Sequence, residues 1–234
     1  MPRSQPEQRE PPVAWARLRY TKVGPARFTS ARDVGRIMER ALKRAQVPVA
    51  YSSGFNPHQR VSYAFPASTG AASTAEYAVV ALARPMSADE LQTRLNDTLP
   101  TGMRVTASLT GKQPLAPQLA ASQWRLTWPG AASDTALRGA VAAFLAADTV
   151  IVERRSKSGV GKQDVRAAVV GLDADGAPSL VMVLRQSEPL IRPGDVVAGL
   201  RPGCPTIGDW GRGLLSRENQ GALTPDGEVV ALGD

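Results

Sequence analysis

One cysteine, Cys204, and one histidine, His58, are all that 234 residues supply of the two side chains most used to hold transition metals. A lone cysteine excludes an internal disulfide and any zinc or iron–sulfur cage built from this chain's own thiolates. No metal or cofactor is therefore expected, and no metal-ligating residues are assigned. Long apolar runs are missing too: nothing approaches the roughly 18 residues of a membrane-spanning helix. Residues 1–12 (MPRSQPEQREPP) hold prolines and acids where a signal peptide would carry its apolar core. The expectation is a cytoplasmic protein with no membrane association. Aromatics are scarce at 5%, against 43% hydrophobic and 21% charged residues. That is ordinary globular material, enough for one large domain or two small ones.

Acids are the third scarcity, and a local one. Between residues 15 and 62, ten basic residues (Arg17, Arg19, Lys22, Arg27, Arg32, Arg36, Arg40, Lys43, Arg44 and Arg60) meet only two acids, Asp33 and Glu39, for a net charge of +8. The whole chain carries +7, so everything outside this stretch sums to −1 and the charge is concentrated rather than spread. The natural partner of such a patch is a polyanion.

Residues 1–12, with four prolines and no hydrophobic period, read as a disordered tail. Over 15–20, Trp15, Arg17 and Arg19 alternate with Ala16, Leu18 and Tyr20, the pattern of a strand with one buried side. Gly24 and Pro25 turn the chain, and Ser30 with Asp33 three residues on makes a helix start. The helix predicted over 31–46 gathers Val34, Ile37, Met38, Ala41, Leu42 and Ala45 on one face and Arg32, Arg36, Arg40, Lys43 and Arg44 on the other. Only Glu39 interrupts the basic face, so like charges repel along it. A solvated outer face is the plainer reading of such a pattern.

Pro48 closes that helix, and 51–60 follows as a turn-rich loop carrying Tyr51, Ser52, Phe55, Asn56, His58 and Arg60. An aromatic, an imidazole and several hydrogen-bonding groups in one turn suit the reading of single-stranded RNA by stacking and edge contacts. Phe55 has two readings, a stacking platform or a plug into the core. Together the basic helix face and the loop are expected to form one accessible cradle for nucleotides.

Val61, Tyr63 and Phe65 alternate as a second strand, and 76–83 is a third. Ser87 and Glu90 then open a helix running to about 99, and 103–109 supplies a fourth strand. This order over 13–110 is the ferredoxin-like split βαβ arrangement, whose sheet leaves one face open. After a linker at 111–121, residues 122–200 repeat a similar order. They give a strand through Trp128, a helix over 133–147, a strand over 149–155, a hairpin of 164–172 with 179–185 around Asp175 and Gly176, and a short helix at 194–200. The expected fold class is α+β, two tandem ferredoxin-like (βαββαβ-type) domains with antiparallel sheets, ending in an irregular tail over 201–234.

The segment RRSKSGVGKQDVR superficially suggests a phosphate-binding loop. It lacks the glycine five positions before its Gly161-Lys162 and has Gln163 where a hydroxyl residue would meet magnesium, so the Walker reading fails. A flexible hairpin whose Arg154, Arg155, Lys157 and Lys162 touch a phosphate backbone, or simply face solvent, fits better.

The run from Ser30, Asp33, Arg36 and Glu39-Arg40-Ala41-Leu42 through Tyr51-Ser52 and Gly54-Phe55-Asn56-Pro57-His58 to Gly70, Ser73 and Glu76-Tyr77 resembles the bacterial radical SAM-linked protein family, DUF2344. The resemblance covers roughly 19–83. It implies a place beside a B12-binding radical SAM enzyme or an RNase E/G-type ribonuclease, and a role in RNA processing or in tRNA or rRNA modification. The family usually has histidine after the serine, where this chain has Ala31.

Three functions follow. The first is an RNA-binding accessory protein that presents RNA, structured or single-stranded, to a modifying or processing enzyme. Another is a metal-independent RNA endonuclease with His58 as general acid or base and Arg60 or Lys43 steadying the phosphate. The third is a docking module for a radical SAM enzyme. A cleavage mechanism also wants an acid partner and a fixed phosphate clamp, and no spacing shows either. Asp33 and Glu39, six apart on a helix, make no dyad. The reading therefore leans away from catalysis.

Overall fold

Alternating burial runs the length of β1 (Ala14–Lys22): Ala16, Leu18, Tyr20 and Lys22 are buried, and their neighbours are half-buried. The computed structural model describes residues 8–111, 114–128, 134–156, 159–174, 176, 178–205, 207 and 213–232, with only the backbone at 134, 155 and 156. Among these the chain is a mixed α/β fold of four α-helices and eleven strands, mostly antiparallel. It divides into two compact units, Met1–Pro117 and Gln118–Leu232.

In the first unit β1 is followed by α1 (Ala31–Arg44), β2 (Val61–Ala64), β3 (Ala72–Leu82), α2 (Ala88–Asn96) and β4 (Val105–Thr110). The strand order is β4-β1-β3-β2, and every pairing is antiparallel. Leu18, Tyr20, Val80 and Val105 from the sheet, Met38 and Leu42 from α1, and Leu91 and Leu95 from α2 share one core. Both helices therefore cover the same face.

Local chemistry sets the ends of α1. Ser30 Oγ accepts the Asp33 backbone N–H (3.2 Å) and donates to Asp33 Oδ2 (2.7 Å), satisfying a free helix N–H. At the other end Gln46 turns to φ +52, and Val47 N–H reaches back to Leu42 O (3.1 Å), an αL stop. β2 stops at Ala64, short of the expected alternation, because Phe65 adopts φ +44 before Pro66.

Lys22 departs from the charged stretch in which it was counted. Its side chain is only 1% exposed, and Nζ donates to Ala67 O (3.0 Å) and Ser68 O (3.1 Å). Glu76, 2% exposed, accepts the Ala67 N–H on the same segment (3.2 Å to Oε2). Two buried charges thus anchor the link between β2 and β3. The face opposite the helices, expected to be open, is accessible only in part: Tyr77 and Ala81 are buried there while Ser62 is exposed.

The second unit contains β5 (Ala121–Thr127), α3 (Asp134–Ala146), β6 (Ile151–Ser156), β7 (Gly159–Asp164), β8 (Val169–Asp173), β9 (Ser179–Arg185), α4 (Pro193–Leu200), β10 (Leu214–Leu223) and β11 (Val229–Ala231). Its sheet follows β10-β5-β9-β8, with β11 on β10. Two sequence expectations change here. Residues 159–164, read as part of a basic hairpin loop with no strand assigned, are β7, which among the described residues pairs with β6 in a separate ribbon. The tail over 201–234, read as irregular, supplies β10, paired with β5 from Leu214↔Thr127 to Gly221↔Ala121, and β11. The expected hairpin forms between β8 and β9, with Gly176 at φ +72 in its turn; its first strand starts at Val169 because Asp164 already closes β7. Ser133, Asp175 and residues 1–7 of the tail lie outside the described residues.

Candidate functional site

The hydrophobic stripe of α1 decides what its charges do. Val34, Met38, Ala41 and Leu42 are buried against the sheet, which turns Arg32, Arg36, Arg40, Lys43 and Arg44 outward, all five exposed. Arg36 sits 3.6 Å from Asp33, an exposed ion pair worth little. Among the described residues, Arg32, Arg40, Lys43 and Arg44 have no carboxylate partner, and Glu39 makes no ion pair either. Lys43 and Arg44 in the last turn gain from the helix dipole, which offsets part of the repulsion.

Past α1 the chain runs as an extended segment beside the end of β3 and then loops out. Ser52 and His58 close that loop. Ser52 N–H donates to His58 O (2.9 Å), His58 N–H donates to Ser52 Oγ (3.1 Å), and Oγ lies 2.8 Å from His58 Nδ1. The side-chain contact suits either ring tautomer: Oγ accepts an Nδ1–H on its second lone pair or donates its own hydrogen to a bare Nδ1. Phe55 is 66% exposed, so the reading that plugs it into the core is excluded. Tyr51, Asn56, His58 and Arg60 are exposed, and Ser52 is half-buried. Residues 8–12, read as disordered tail, carry no regular secondary structure, yet Arg9 donates its N–H to Ser53 Oγ (3.0 Å) and places its guanidinium 5.5 Å from the Tyr51 ring centre.

His58 and Arg60 also line a cleft of about 290 Å³ with Trp15, Gln59, Ser62 and Val79. The register puts Trp15 opposite Ala81 and Ser62 opposite Val79, on the face without helices. The expected single cradle is therefore two surfaces: arginines on the outer side of the helical layer, and a cleft on the other side of the sheet. The 51–60 loop joins them at one end. Trp15, Gln59 and Ser62 were missed by the sequence reading. The available signal was a tryptophan on the polar side of an amphipathic strand.

Beneath α1, the Tyr63 hydroxyl is buried with no hydrogen-bond partner among the described residues. Burial, and then the nearby Glu39 carboxylate, push its acidity well above the ordinary tyrosine range. Gly35 lets the ring lie close: a Cβ there would stand 3.8 Å from Tyr63 Cε2.

In the second unit, Lys162 is exposed on β7 opposite Glu153. Arg155 is on β6 with only its backbone described, and Lys157 lies outside the described residues. Arg154 is already engaged, donating to Leu190 O (2.9 Å) with Asp195 at 3.8 Å. Among the described residues no group of three or more His, Cys, Asp or Glu could hold a metal ion, and no helix is long and apolar enough to cross a membrane.

These observations define a mixed α/β protein with an uncompensated cationic helix and an adjoining loop that shows an aromatic and an imidazole to solvent. Over residues 16–193 it matches the family described as "Uncharacterized protein conserved in bacteria (DUF2344)", and the chain belongs to that family. No curated protein matches it.

Proposed function

We propose that this protein binds RNA and presents it to a modifying or processing enzyme, with the first unit as the binding module. The observation that carries the reading is the set of four outward cations on α1, Arg32, Arg40, Lys43 and Arg44, with no acid to neutralise them among the described residues. A helix that accepts such repulsion without compensation suits a polyanion that supplies the missing charge. Beside it, Phe55 offers a ring for stacking and His58 an outward nitrogen. A general acid–base role for His58 is not favoured, because its hydrogen bonds go to Ser52 and no carboxylate among the described residues orients it.

The same reading takes each unit as a ferredoxin-like βαββαβ fold. The supporting observation is the sheet order: β4-β1-β3-β2 in one unit and β10-β5-β9-β8 in the other place the strands in equivalent positions, with the β6–β7 ribbon as an insertion. A B12-binding radical SAM enzyme or an RNase E/G-type ribonuclease is the proposed recipient of the RNA, in the cytoplasm.

The test is RNA affinity against salt for the wild-type chain and for Arg40→Ala with Arg44→Ala. The logarithm of affinity should fall linearly with the logarithm of salt, and the double variant should flatten that slope by about 0.7 per lost phosphate contact while weakening every RNA sequence alike. Unchanged affinity in the double variant refutes the reading.

A further inference from the structure

Among the described residues three aromatic side chains are exposed, Phe28, Tyr51 and Phe55, and all three flank α1. Phe28 stands two residues before the Ser30 cap, and the other two lie in the loop that follows the helix. The exposed rings thus keep company with the exposed cations. Phe28 is firmly set: it ends a short 3-10 turn, Gly24–Phe28, that Pro25 opens. Thr29 N–H (3.0 Å) and Thr29 Oγ1 (2.6 Å) both donate to Ala26 O, and Gly70 N–H donates to Arg27 O (2.8 Å). The Arg27 guanidinium lies 4.5 Å from the Phe28 ring centre, and among the described residues it has no carboxylate partner. Phe28 is still 60% exposed with that cation against it, so the ring has surface left for a base.

Gly70 immediately precedes β3, whereas the 51–60 loop opens where Ala50 N–H meets Ala81 O near the far end of that strand. Phe28 and Phe55 therefore mark opposite ends of α1. Its 14 residues span about 21 Å, the length of about six nucleotides at roughly 3.4 Å each. We propose that Phe28, backed by Arg27, is a second base-stacking site, and that one single strand of RNA lies along α1 from Phe28 to Phe55 with its phosphates on the exposed cations between. This rests on the RNA reading above and adds to it a footprint and a preference for single strands, because the bases of a duplex are not free to stack on a side chain.

The experiment measures binding of fluorescein-labelled A12 and A4 RNA, and of an abasic ribose-phosphate 12-mer, to the full chain at fixed salt. Wild type is compared with Phe28→Leu, which keeps an apolar side chain and removes the π face, and with Phe28→Trp. Phe28→Leu should weaken A12 about tenfold, the scale of one lost base stack, and leave the abasic strand unchanged. Phe28→Trp should bind A12 at least as tightly as wild type. A4 is too short to reach both rings and binds equally well at Phe55, so it should lose no more than about twofold in Phe28→Leu. Salt-dependent A12 binding that Phe28→Leu leaves unchanged, an equal loss on the abasic strand, or a loss on A4 as large as on A12 overturns the proposal while the RNA reading stands. If wild type binds neither A12 nor the abasic strand, the RNA reading itself fails and this site with it.

Discussion

Ser52 and His58 hold each other three ways: two backbone N–H donations, at 2.9 and 3.1 Å, and a side-chain contact of 2.8 Å between Oγ and Nδ1. A loop with an exposed phenylalanine at its tip is thus closed at its base before any ligand arrives, so ordering it on binding costs little.

Ser52→Ala removes the acceptor for the His58 N–H and the group that fixes the imidazole. Global stability should fall by only about 0.5–1 kcal/mol, since the bonds are solvent-exposed. Amide hydrogen exchange at His58 should rise well beyond that of the sheet, and RNA affinity should drop several-fold. Unchanged exchange would show that the backbone bond alone closes the loop.

Phe55→Ala separates function from packing. At 66% exposure the ring contributes little to folding, so urea unfolding should be unchanged within about 0.5 kcal/mol. Binding of single-stranded RNA should weaken by about tenfold, the scale of one lost base–aromatic stack.

Tyr63 provides a pH signature. Native burial keeps its phenol protonated, whereas the unfolded chain releases the proton as pH rises through about 10. Below that value both states hold the proton and the group adds no pH dependence. Above it the native state binds more protons than the unfolded one, so stability declines as pH increases. Chemical denaturation from pH 8 to 11.5 should show a shallower alkaline decline for Tyr63→Phe than for wild type. At pH 8 the variant should be as stable or slightly more so, because it removes a hydroxyl that bonds to nothing among the described residues.

Lys22→Met tests whether a buried cation is structural. The substitution leaves the Ala67 and Ser68 carbonyls without their donor, at a cost of roughly 3 kcal/mol in urea denaturation. At temperatures where the variant stays folded, RNA affinity and its salt slope should match wild type. A flattened slope would place Lys22 among the contacts.

Much of the first unit was legible because its cues were local. Six apolar positions at helical spacing, a Ser30 cap and a Pro48 stop gave α1 to within two residues, and alternation around Leu18 gave β1. β10 was hidden because its buried positions are polar. Arg217 and Gln220 are 2% and 1% exposed, with the Arg217 guanidinium 5.2 Å from the Trp124 ring centre, so no hydrophobic period marks the strand. β7, the sequence GVGKQD, is largely exposed and has no apolar face to reveal it. The arginines of α1 could be named from spacing alone. The cleft could not, since Trp15 and Gln59 meet only after β1 and β3 align and the chain beyond α1 returns along β3.

The basic face of α1 and the cleft beside Trp15 lie on opposite sides of the β4-β1-β3-β2 strands. On the proposed RNA-binding reading, a strand that engaged both would have to pass round an edge of those strands, so oligomers of a few nucleotides should bind two to a chain where a longer transcript binds once.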